Sequence, residues 1–152
     1  MDYVIRRGQR AAGADDDAFF TIHWSPISKA DKYDIVTKAP AIGGIAELYY
    51  MDEKGKLNLF CLQRSWYGGI RAMLRERCDP ALEKDPFRLS ILVKWRDRIY
   101  YRWTNSESMA DMNDVMFFFT ETYSPGQRTV HSSGRFQRIF VQEIDTGKLV
   151  TI

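Results

Sequence analysis

Cysteine and histidine are scarce in this sequence: Cys61, Cys78, His23 and His131 are the only ones among 152 residues. They form no cluster with metal-ligand spacing, so a zinc centre is not expected. The opening stretch MDYVIRRGQRAAGADDD has no apolar segment of the secretory-leader kind. Both thiols are therefore expected to be reduced, and the cytoplasm is the expected compartment. Long hydrophobic runs are missing too. The longest extends only from Val115 to Phe119, far short of the roughly 20 residues that cross a bilayer, so no membrane partner is expected. A surplus of charge is also absent: 22 Lys and Arg face 20 Asp and Glu, a net +2. Total charge therefore points to no nucleic-acid or membrane partner, and only the distribution of charge can carry such an argument. Repeats, low-complexity tracts and interdomain linkers are lacking as well.

Apolar material is plentiful. Hydrophobic residues make up 45% and aromatics 14%, enough for a folded domain with a sizeable core. Residues 1–18 read as a loose N-terminal arm, with Arg6, Arg7 and Arg10 giving way to Asp15-Asp16-Asp17. Residues 19–152 read as one globular domain. Phe19–Trp24 is rich in β formers and precedes the turn Ser25-Pro26. Ser28–Tyr33 reads as one helical turn or a loop. Ile45–Met51 and Leu57–Leu62 flank the polar turn Asp52–Lys56, a hairpin pattern. Trp66, Ile70, Met73, Leu74 and Arg77 recur at helical spacing. Gly68-Gly69 implies a close backbone approach there, or a helix that starts after them. Leu89–Trp95 fits strand or helix, and the alternation of Ile91, Val93 and Trp95 favours strand. Ile99–Thr104 reads as a strand. Ser108 with Asp111 resembles a capping box, opening a helix to about Phe119 whose Met109, Met112, Met116 and Phe119 share a face. Phe136–Asp145 and Lys148–Ile152, joined by the turn Asp145–Lys148, read as a C-terminal β hairpin.

The order hairpin, arginine-bearing helix, connection, strand, second helix resembles the GIY-YIG nuclease superfamily over about residues 40–126. The resemblance implies an α+β fold, a small antiparallel sheet flanked by helices, to which the C-terminal hairpin is added. Its motifs are degenerate. The opening Gly-Ile-Tyr fits two registers. One matches Gly44-Ile45, with Ala46 at the tyrosine. The other matches Leu48-Tyr49, with Glu47 in place of the glycine. Phe60-Cys61-Leu62 stands for Tyr-Ile-Gly, without the hydroxyl and without the glycine. Arg71 falls at the helix arginine, and Arg75 where histidine is common. The metal-binding glutamate has Asp114 as its nearest equivalent.

Phosphodiester hydrolysis by such a site needs activated water, a cation on the phosphate and a divalent metal. An active copy implies Tyr49 and Arg71 as catalytic residues, with Mg²⁺ on Asp114. So few of these roles remain that a non-catalytic, nucleic-acid-binding or protein-binding domain is the leading expectation. Arg64, Arg71 and Arg75 are the candidate phosphate contacts, sharing a face if the helix extends back to Arg64. A solvated or ion-paired face is the plainer alternative. Glu107, Asp111 and Asp114 likewise share a helical face, as metal ligands, as charge favourable near a helix start, or as partners of the arginine face of the first helix. Trp66 and Tyr67 suit base stacking, though Trp66 also fits the core stripe. Lys94, Arg96, Arg98 and Arg102 interleave with Trp95, Tyr100, Tyr101 and Trp103, a pattern open to nucleic acid or to a half-exposed strand. Residual endonuclease activity and an interaction protein or homodimer, using residues 115–119 and the last strands, are the alternatives. Ser65 and His131 lack the acidic orienter and nucleophile turn of a catalytic triad.

Overall fold

The hairpin at the centre of the chain forms. Strand β4 spans Gly44–Met51 and β5 spans Leu57–Ser65. Their turn is held by Asp52, whose Oδ1 accepts from the Lys54 and Lys56 N–H groups at 2.9 Å each. Gly55 supplies the positive φ, +77°. The computed structural model describes residues 1–8, 16–123 and 130–145. Within these, the chain is α+β, with two small and mostly antiparallel sheets in separate compact units.

The larger unit is built on Trp24–Glu107. Its elements are β3 (Ser28–Lys29), α1 (Lys32–Lys38), β4, β5, α2 (Gly69–Arg77), α3 (Pro86–Lys94) and β6 (Ile99–Asn105). The sheet order is β3-β6-β4-β5, antiparallel throughout. Ala46 and Leu48 of β4, Cys61 of β5 and Tyr101 of β6 pack against Ile70, Met73 and Leu74 of α2, with Ile91 and Leu92 of α3. Even-numbered β4 residues thus face the helices, and Ile45, Glu47 and Tyr49 face the other way.

Three expectations change here. Ser28–Tyr33 is neither a loop nor a lone turn: it contains β3, and Asp31 caps α1 by accepting from the Tyr33 N–H at 2.7 Å. Leu89–Trp95 is α3, not a strand. Asp85 accepts from the Arg88 N–H at 2.9 Å, and Pro86 opens the helix with a pre-set φ. The alternation at Ile91, Val93 and Trp95 misleads because Ile91 and Leu92 are the buried pair, while Val93 is exposed. Finally, α2 starts at Gly69, so Trp66 lies outside the helix and is 39% exposed. The glycine pair does mark a close approach. A Cβ on Gly69 meets the Ala41 carbonyl carbon at 2.5 Å, and φ is +76°.

The smaller unit joins Met1–His23 to Ser108–Ile144. Its sheet has the order β1 (Asp2–Arg6), β2 (Asp17–His23), β7 (Arg138–Ile144). Asp2–Arg6 is therefore no loose arm, since it pairs antiparallel with β2 along its length. Tyr3, Val4 and Ile5 are β formers set among charges that had suggested an arm. Strand β7 runs parallel to β2. Its expected hairpin partner, Lys148–Ile152, lies outside the described residues. Helix α4 covers Met109–Tyr123, longer than expected, and buries Met112, Val115 and Phe119. Met109 and Met116 are only half-buried, so the buried stripe passes through Val115. The apolar run at residues 115–119 thus contributes two core side chains. The stretch 40–126 is divided between the units, with β4 to β6 in one and α4 in the other.

Candidate nucleic-acid interface

The start of α2 is bound to the chain that precedes β4. The Ile70 N–H donates to the Ile42 carbonyl at 2.9 Å, and the Arg71 N–H to the Pro40 carbonyl at 3.0 Å. The first-turn donors that commonly bind anions are thus already used. Arg71 adds a side-chain tie, its Nε donating to the Ala39 carbonyl at 2.8 Å. That contact leaves Nη1 and Nη2 without a partner among the described residues.

One turn on, Arg75 is exposed and has no side-chain partner among the described residues. Its neighbour Arg77 differs. Arg77 Nη1 meets Glu83 at 3.3 Å, its Nε donates to Gln63 at 3.1 Å, and Arg88 reaches the same Glu83 carboxylate at 3.0 Å. The structural arginines of this layer are consumed by Glu83, whereas Arg71 and Arg75, four residues apart on α2, remain available. Just before the helix, Tyr67 is 90% exposed beside the partly exposed Trp66.

Arg64 does not join them. It belongs to β5, not to a helical extension, and pairs across the sheet with Ile45. Residues directly opposite share a face, so Arg64 stands on the side away from α2.

Tyr49 is on that far side as well. Its hydroxyl donates to Glu47, which also accepts from Arg102 Nε at 2.5 Å. Arg102 lies over the Trp24 ring, 4.5 Å from its centroid. Burial, followed by the Glu47 charge and hydrogen bond, raises the Tyr49 phenol well above its ordinary value. A phenol so placed is a poor base. Tyr49 and Arg71 are therefore separated by the sheet. In the other register, Ala46 points toward the helices but carries no hydroxyl. The only sequence signal of this Glu47–Arg102–Tyr49 cluster is the i, i+2 spacing of Glu47 and Tyr49 on a strand.

Asp114 lies in the other unit, wholly buried on α4. Its carboxylate accepts from the Ser133 N–H at 2.7 Å, the Ser133 hydroxyl at 2.8 Å and Arg135 Nη2 at 2.7 Å. Arg135 also pairs with Asp111 at 2.8 Å. A divalent cation on Asp114 would have to displace a guanidinium and two further donors, so the residues do not fit the Mg²⁺ role. Among the described residues, no group of three His, Cys, Asp or Glu side chains is placed to hold a metal.

A family model described as an uncharacterised protein matches residues 9–151. The chain belongs to this family. No curated protein and no solved structure matches it. Among the described residues, no helix of this family member is long and apolar enough to cross a membrane.

Proposed function

We propose that this protein is a non-catalytic nucleic-acid-binding domain that uses the outer surface of α2, a diverged relative of the GIY-YIG superfamily. The carrying observation is the unequal use of arginine. Arg77 and Arg88 are spent on Glu83, while Arg75 and the two terminal nitrogens of Arg71 have no acidic partner among the described residues. Two guanidinium groups on one helix face suit successive phosphates, and exposed Tyr67 and Trp66 suit stacking of unpaired bases. The order β5-β4-β6, followed along the hairpin by an arginine-bearing helix, supports the superfamily reading. The spent carboxylate of Asp114 and the raised phenol of Tyr49 support the absence of hydrolysis.

Titration of a fluorescent single-stranded oligonucleotide tests the reading. Association at low ionic strength is expected, without strand cleavage in Mg²⁺ or Mn²⁺. No association at low salt ends it, and metal-dependent cutting abolished by Arg71→Ala contradicts its non-catalytic part.

A protein partner, including a second copy, is the second reading. It is favoured by Val4, Phe19 and Phe140, which lie opposite one another across β1, β2 and β7 and are all exposed. A concentration-independent monomer in scattering counts against the homodimer.

A further inference from the structure

The smaller sheet ends on an open strand. In the order β1-β2-β7, β1 is at the edge, and no described strand pairs with its far side. All five of its residues, Asp2-Tyr3-Val4-Ile5-Arg6, are exposed. Such an edge is a template for another strand, and β1 carries no proline, glycine or lysine to blunt it. Its end charges restrict the partner to one that offers a cation to Asp2 and an anion to Arg6. The strand itself meets that condition when reversed, because Asp2 and Arg6 stand two residues either side of Val4. Asp2, Val4 and Arg6 share one face of β1. On that face Val4 is opposite Phe19, and Phe19 is opposite Phe140. The two rings stack with centroids 4.9 Å apart, and Val4 ends the row 72% exposed. Arg6 lies opposite Asp17, whose carboxylate is already held by Arg138 at 3.0 and 2.7 Å. Asp2 meets His23 at 3.9 Å, beyond hydrogen-bond reach.

We propose that β1 pairs antiparallel with β1 of a second copy about a twofold axis at Val4, joining two three-stranded sheets into one. This interface rests on the second-copy reading of the exposed row and gives it a location. The register sets Asp2 against Arg6 of the other copy at both ends, Tyr3 against Ile5, and Val4 against Val4. Residues directly opposite share a face, so the row from Phe140 through Phe19 to Val4 continues across the axis into its counterpart. Moving the axis to Tyr3 sets Asp2 against Val4, and moving it to Ile5 sets Arg6 against Val4. Either shift loses both ion pairs and breaks the apolar row, so the register is specified by charge and by pattern together. Pairing of five residues is a smaller contact than a standard stable interface, and the dimer is accordingly a weak one.

Sedimentation velocity on the full chain, from about 5 to about 500 μM, tests it for wild type, Asp2→Arg and Arg6→Asp. Wild type is expected to pass from monomer to dimer within that range. Each reversal sets like charges opposite one another at both ends of the contact and is expected to weaken the dimer about tenfold or more. An equimolar mixture of the two variants again has opposite charges at both ends and is expected to dimerise about as tightly as wild type. Should Arg6→Asp not fold beside Asp17, Arg6→Gln takes its place, and its mixture with Asp2→Arg is still expected to dimerise more tightly than either variant alone. Wild type that stays monomeric throughout overturns the proposal and the second-copy reading together. A dimer that both substitutions leave intact, or variants that associate no better mixed than alone, overturns the β1 interface while the second-copy reading stands.

Discussion

Glu83 has no exposed side-chain surface, and two arginines converge on it. Burial alone would raise its carboxyl. The hydrogen bonds from Arg88 and the Asp85 N–H, with the charges of Arg77 and Arg88, outweigh burial and hold it below the usual carboxylate range. Replacing Glu83 by Ala leaves two arginines without their acceptor, and a loss of about 3 kcal/mol in urea unfolding is expected. The pH dependence has a definite sign. A carboxyl lowered in the folded state contributes fully above its unfolded value and loses that contribution as pH falls through the folded value. The stability gap between wild type and Glu83→Gln should thus be constant near neutrality and shrink below about pH 4.5. Gly44 is the second residue with a sharp prediction. A Cβ there meets the Thr104 carbonyl oxygen at 2.2 Å and Ile70 Cδ1 at 2.4 Å. Backbone cannot swing aside as a side chain can, so Gly44→Ala should cost about 3 kcal/mol. Gly55→Ala meets open space and should cost only the positive-φ strain, about 1 kcal/mol.

At the scale of elements, α3 tests how a local signal outweighs a pattern. The Asp85-Pro86 start fixes the helix, and Asp85→Ala should lower stability by about 1 kcal/mol in the same unfolding assay. The same element shows why sequence reading was incomplete. Three alternating residues mimic a strand, and only packing decides that Ile91 and Leu92 are the buried ones. The β4–β5 hairpin was legible because a polar turn with Gly55 separates two β-rich runs. The helical stripe of α2 was legible at Ile70, Met73 and Leu74. Its start was not, because Trp66 fits the same period and is excluded only by Gly68 at φ +78°. Pairing of β7 with β2, more than a hundred residues apart in sequence, has no local signal. Of the candidate site, Arg71 and Arg75 were legible through their i, i+4 spacing. The displacement of Arg64 and Tyr49 to the far face was not, since strand parity becomes meaningful only once the helices choose a side.

At the scale of the whole molecule, the proposed function is electrostatic binding without hydrolysis. The carboxylate that the family resemblance assigns to a metal is already neutralised by Arg135. Millimolar Mg²⁺ should therefore leave the melting temperature unchanged, because a ligand stabilises only a state that binds it. The salt dependence of single-stranded oligonucleotide binding, followed by anisotropy for wild type, Arg71→Gln and Arg75→Gln, tests the proposed α2 surface. The logarithm of the association constant should fall linearly with the logarithm of salt concentration, and each substitution should make the slope shallower by about 0.7. Slopes and affinities unchanged by both substitutions would contradict the assignment of the α2 surface.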